Sequence, residues 1–213
     1  MRVQSKSGYW VSQVTRDVLS SRMLLEHIAD RTVTGLVFGT EHYTHAIRSS
    51  TVYDGLIAGS LQEKRVGEEL LFELAVEDIR CAAELLRRTY EESDGLDGWA
   101  SMDVSPLTVH DAAACAVAAK CIYDRVFRPN VFIRIPGAPE ALPAIEAATF
   151  MGVPVHATLL FSCEQYLAAA LACLRGLERR IAAGSRADVR SAASVTIVLR
   201  YAADSDSVPP ELR

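Results

Sequence analysis

"RPNVFIRIPGAPEALPAIEAATFMGVPVHATLLFSCEQYLAA", residues 128–169, holds two short apolar runs rich in branched side chains, each followed by a stretch with helical spacing. Val131 to Ile135 and Val155 to Leu160 read as strands. Between them "APEALPAIEAATFMG" reads as a helix with Gly152 just past its end, and Glu164 to Ala183 as a long helix with Ser162 or Cys163 near its start. Strand, helix, strand, helix at this spacing is the pattern of parallel β/α units. Arg134 stands out, because it places a charge among apolar strand neighbours.

The pattern extends in both directions. Gly8 to Ser12, Thr34 to Phe38, Ala100 to Val104 and Ser194 to Leu199 are four further strands, and Glu68 to Tyr90 and His110 to Val126 two further helices. The second of these is rich enough in alanine to pack closely on a sheet. No repeat or flexible linker interrupts the chain, so residues 1–213 are expected to form one α/β domain, with a disordered tail at "DSDSVPPELR". Pattern alone leaves a parallel barrel and a doubly wound sheet open.

Half of the 213 residues are hydrophobic and the formal net charge is −5, without a Lys/Arg cluster. That composition argues against disorder and against a nucleic-acid or anionic-membrane partner, and for a small molecule or a protein. No apolar run approaches the ~18 residues of a spanning helix, and "MRVQSKSGYW" has no signal-peptide core. The five cysteines, Cys81, Cys115, Cys121, Cys163 and Cys173, lack metal-type spacing. Reduced thiols in a cytoplasmic protein are the expectation.

The run at 128–169 resembles the central segment of transaldolases, N-V-x-I-K-[IV]-P-x-T-x-E-G-L-P-A-I followed by V-N-x-T-L-L-F-S. "SMDVSPLTVHD" is similar to that family's S-x-E-V-x-P-x-x-x-H-D, and "RTVTGLVFGTEHYTHAI" to its G-V-T-S-N-P-T-I-F-x-x-A-I. With "YWVSQVTRDVL" and "RSAASVTIVL" the likeness runs from residue 8 to about residue 200. It implies a transaldolase-like (β/α)8 barrel with reactive groups at the C-terminal strand ends, here incomplete, with about six of the eight strands.

The resemblance also implies a lysine on the fourth strand that forms a Schiff base with a ketose phosphate. Arg134 stands at that position. A guanidinium stays protonated and delocalised, so it cannot replace the amine as a nucleophile. The three lysines, Lys6, Lys64 and Lys120, are expected before the first strand, in an insertion loop and on a helix. Ser12 replaces the family's first-strand aspartate, Gly39 a second-strand asparagine, Asp103 the third-strand glutamate and His156 the fifth-strand asparagine, while Thr158 is kept. On the sixth strand Ser194 matches the family serine, Thr196 replaces an aromatic, and Leu199 aligns with the phosphate-binding arginine; Arg200 is one residue off and faces the other way.

Two functions remain open. One is a repurposed acid/base enzyme without Schiff-base chemistry, acting on a small carbonyl or carboxylate compound. Asp103 would then be the base, His156 the acid and Arg134 an anion or enolate holder, with Ser12, Thr158, Ser194 and Thr196 binding substrate. The other is an inactive pseudo-enzyme that serves as a binding or structural subunit, with Arg134 and Asp103 merely neutralising each other. No cofactor is expected. Glu41, His42 and His45, beside Tyr43, fit no metal-ligand spacing, and Cys163 near a helix start has no evident partner. Open edges on the first and sixth strands lead us to expect a homo-oligomer.

Overall fold

A computed structural model describes residues 8–39, 46–48, 50–62 and 64–185, and the backbone of 194–197. Six parallel strands stand side by side in chain order: β1 (Tyr9–Val11), β2 (Val33–Phe38), β3 (Trp99–Asp103), β4 (Val131–Pro136), β5 (Val155–Leu160) and β6 (Ser194–Ile197). The helices are α1 (Arg16–Leu19), α2 (Arg22–Ala29), α3 (Asp54–Gln62), α4 (Glu68–Leu85), α5 (Arg87–Glu92), α6 (Ala112–Val126), α7 (Leu142–Phe150) and α8 (Cys163–Ala182).

The sheet is curled. In a flat sheet β1 and β5, four strands apart, would be separated by about 19 Å. Yet the rings of Trp10 on β1 and His156 on β5 meet edge to face with centroids 5.8 Å apart. The register gives the geometry of the curl. Stepping across from Trp10 through Gly35 and Trp99, strand by strand, leads to position 152 at β5, and His156 is four residues further along. A stagger of one residue per strand is that of eight strands with shear eight, so the sheet is an arc of a (β/α)8 barrel. The choice between barrel and doubly wound sheet falls to the barrel.

Alternation assigns the two faces of each strand. Leu36, Ala100, Ile133, Ile135, Val155 and Ala157 are buried on the outer face, in the core that the helices complete. Cys115, Ala116 and Ala119 of α6 are buried in that core, as the Ala-rich sequence requires, because small side chains let a helix approach a sheet closely. Asn130, fully buried just before β4, donates to the carbonyls of Ala83 (2.8 Å) and Gly98 (2.9 Å) and so ties β4 to the chain entering β3. A second buried knot lies between the helices. The Asp78 carboxylate on α4 accepts from Arg16 Nε at 2.7 Å and from the Tyr53 hydroxyl at 2.8 Å, and Arg16 N–H donates to the same hydroxyl. Burial, with Asp78 beside it, holds the Tyr53 phenol well above its ordinary pKa.

The sequence-predicted strands are all present, β5 with unchanged bounds and β1 to β4 shifted by one residue at their ends; the last two residues expected on the sixth strand lie outside the described residues. Leu199 and Arg200, the tail 201–213, Lys6 and the loop residues Glu41, His42, Tyr43 and His45 lie outside the described residues. Two of the expected helices differ, and so does the place of a lysine. The single helix expected over Glu68 to Tyr90 is two, parted at Leu86, a fully buried residue with φ −87° and ψ −5°. The helix expected from His110 begins at Ala112, because the Asp111 side chain accepts from Ala113 N–H and Ala114 N–H and caps it. Lys64 lies not in an insertion loop but in the short turn between α3 and α4, with φ 61°.

Gly35 is the residue that the curl needs. A Cβ there would sit 2.2 Å from Trp10 Cδ2 and 2.5 Å from its Cγ. Gly35→Ala is therefore expected to lower the stability in urea by about 1–3 kcal/mol as overpacking. In a Trp10→Ala background most of that cost should vanish; equal costs in both backgrounds would separate the glycine from the indole.

Candidate functional site

Four neighbouring strands carry a row of polar residues in register: Asp103 on β3 beside Arg134 on β4, Arg134 beside His156 on β5, and His156 beside position Ser194 on β6. The parity that points Trp10 inward does the same for Asp103, Arg134 and His156, near the C-terminal strand ends. By the one-residue stagger, Trp10, Ser101 and His156 share a layer inside the arc, Val37 and Arg134 the next, and Ser12, Asp103 and Thr158 the layer nearest the mouth. Ser12 is exposed just beyond β1, whereas Thr158 is buried. Ser194 and Thr196 lie on β6, of which the backbone alone is described.

Arg134 Nε lies 3.0 Å from Asp103 Oδ1, with side chains 22% and 28% exposed. The N–H is not aligned for a hydrogen bond, so the contact is an ion pair. The two charges are partly buried.

His156 is 5% exposed. Burial, and secondly the charge of Arg134, push its pKa down to about 4. At neutral pH the ring is a neutral imidazole. The neutral ring has one N–H donor and one acceptor nitrogen. The ring makes T-shaped contacts with Trp10 and with Phe132, whose ring centroid is 6.0 Å away at a 70° angle.

Sequence reading missed inward residues beside the site, among them Trp10, Ser101 and Phe132. Trp10 walls the site from β1, and Ser101 is fully buried one step below Asp103. The alternation in "WVS" and "WASMD" contained the signal, since each stands two positions before a residue singled out for chemistry. Cys163 is the exposed first residue of α8, whose cap is Ser162, accepting from Gln165 N–H at 3.2 Å. Of the lysines in the described residues, Lys120 lies on α6 paired with Asp124, and Lys64 lies in its helix–helix turn.

The neutral burial of His156 makes stability depend on pH. The unfolded ring binds its proton near pH 6.5 and the folded ring near pH 4, so its contribution is complete above about 6.5 and is lost as pH falls toward 4. Between those limits the loss should be on the order of 3 kcal/mol. Urea midpoints of the wild type and of His156→Gln should diverge at neutral pH and converge as pH 4 is approached. Parallel curves would mean that the ring titrates normally.

Residues 41–197 match the family described as Transaldolase/Fructose-6-phosphate aldolase. The chain is 34% identical over 203 residues to "Transaldolase 2" of Nostoc punctiforme, covering 95% of this chain and 53% of that protein. It is 37% identical over 175 residues to the "Transaldolase" of Thermobifida fusca, covering 82% and 48%, and 36% identical over 186 residues to "Transaldolase 1" of Streptomyces avermitilis, covering 87% and 49%. The chain thus spans about half the length of the curated relatives it matches. No helix among the described residues is long and apolar enough to cross a membrane. Matched through three quarters of its length, and folded as an arc of the barrel that its motifs imply, the chain belongs to the transaldolase/fructose-6-phosphate aldolase family.

Proposed function

We propose that this protein lacks ordinary transaldolase activity and is a non-covalent acid/base enzyme of specialised metabolism acting on a small carbonyl or carboxylate compound. The observation that carries the reading is Arg134, inward on β4 and ion-paired with Asp103. A guanidinium neither attacks a carbonyl nor forms an imine, but it does hold developing negative charge on oxygen. In this reading the Asp103 carboxylate removes a proton from the carbon next to the substrate carbonyl. The C–H electron pair moves into the enolate, and the oxygen that gains charge is held by Arg134. Returning the proton to carbon completes an isomerisation or an exchange without any oxidant or cofactor. His156 acts as a neutral hydrogen-bonding group, and Ser12, Thr158, Ser194 and Thr196 bind the rest of the substrate.

A second reading is favoured by the same ion pair: a pseudo-enzyme in which Arg134 and Asp103 neutralise each other and the surface binds a partner. Proton exchange separates the two. With hydroxyacetone in D2O, the enzyme reading expects loss of the α-proton NMR signals at a rate that falls at least a hundredfold in Asp103→Asn, while borohydride leaves the intact protein mass unchanged. Exchange at the buffer rate would favour the pseudo-enzyme, and a stoichiometric reduced adduct would show a reactive amine at the mouth.

Residues 1–213 are proposed as one domain, in a reducing, cytoplasmic setting where the five free cysteines stay thiols. Among the described residues β1 and β6 each pair with one neighbour. Parallel edges of this kind expose unpaired backbone groups, which supports association of copies through the edge strands. Light scattering of the 213-residue chain is expected to give at least twice its 23.2 kDa mass at micromolar concentration. A well-folded monomer would mean that the edges are covered within one copy.

A further inference from the structure

We infer that the outward face of α8 is a surface through which two copies of this chain pair, helix against helix and antiparallel. The inference is independent of the acid/base reading above and of the strand edges. α8 (Cys163–Ala182) is apolar on two opposite faces. Toward the body of the protein Ala169, Ala172, Cys173 and Gly176 are buried, and a Cβ at Gly176 would lie 2.6 Å from the Glu146 carbonyl oxygen of α7, so that face is already filled. About half a turn away, Leu167, Leu171, Leu174 and Ile181 are 57%, 53%, 53% and 64% exposed. A helix on the outside of a barrel needs only one apolar face.

The second face is a stripe about 80° wide, narrower than the face a helix turns to a globular core. Positions 167, 171, 174, 178 and 181 follow one another in steps of four and three, the spacing of a coiled-coil seam, and such a seam is filled by another helix. The charges on the seam select the partner. Glu178 occupies one seam position, and Arg175 flanks it. In a parallel pair of identical helices Glu178 would face Glu178 and Arg175 would face Arg175. In an antiparallel pair with Leu174 opposite position 178 of the second copy, Leu171 meets Ile181 and Glu178 meets Arg175, and two-fold symmetry makes each contact twice. A lipid surface, or a helix without a matching cation, would leave Glu178 desolvated and uncompensated. Glu146 accepts from Arg175 at 2.8 Å and from Arg179 at 2.9 Å, so it keeps a cation when Arg175 turns to the second copy.

Light scattering of the 213-residue chain across a concentration series tests the pairing. Leu171→Glu combined with Leu174→Glu is expected to halve the wild-type mass at micromolar concentration and to leave the far-UV circular dichroism unchanged, since both side chains are more than half exposed. Glu178→Arg alone should raise the dissociation constant at least tenfold, and adding Arg175→Glu should return it to within about threefold of the wild type. A mass that the leucine substitutions leave unchanged overturns the inference, whether the stripe is covered by residues of the same chain, by a different protein or by nothing. A halved mass without any effect of Glu178→Arg overturns the antiparallel pairing, because a parallel pair has like charges in contact in both forms. Should the leucine variant not fold, the two charge variants decide the matter alone.

Discussion

The stagger of one residue per strand is the constraint on which the rest of this molecule depends. It makes a sheet of parallel strands curl, so that Trp10 on β1 closes on His156 on β5 across the inside of the arc. The curl is also what turns strand alternation into a site. On a flat sheet the side chains of Asp103, Arg134 and His156 would be a stripe facing whatever packed above it. On a curled one they converge inside the arc, with Trp10 and Phe132 against His156. Gly35 is part of the same constraint, since its missing side chain gives the Trp10 indole its place over β2.

Inside the arc, charge is the decisive quantity. The guanidinium of Arg134 is half-buried, and Asp103 at 3.0 Å compensates it. The neighbouring imidazole answers the same low-dielectric surroundings by staying neutral, with a pKa near 4. The outer face works differently. There an Ala-rich helix and a sheet of branched residues exclude water almost completely, and two buried polar side chains are tied by specific bonds. Asn130 spans two carbonyls, and Asp78 gathers Arg16 and Tyr53. Scaffold and mouth are therefore separable, because the residues that build each lie on opposite faces of the same strands.

Motif residues also divide by face and by end. Asn130 of the fourth-strand motif is a clamp at the entry to β4, and Asp111 of the third-strand motif is a helix cap. Four residues after Asn130, Arg134 is inward and at the opposite end of the strand. A match to a family pattern therefore carries structural and chemical positions together, and only their place in the barrel tells them apart.

The sequence by itself determined the six strands, the alternation that turns Arg134 inward, the close-packing helix with Ala116 and Ala119, and the family, because each of these is written in local periodicity or in contiguous motifs. It missed α1, α2 and α3, which are short or weakly patterned, and the break at Leu86, where burial against the core overrides a continuous helical pattern. It named Asp103, Arg134 and His156 but not their state. Whether Arg134 pairs with Asp103, and whether His156 holds a proton, depends on distances between strands and on the water excluded by Trp10 and Phe132. Those residues lie far apart along the chain and meet only when the sheet curls, so tertiary structure alone decided the charge of the site.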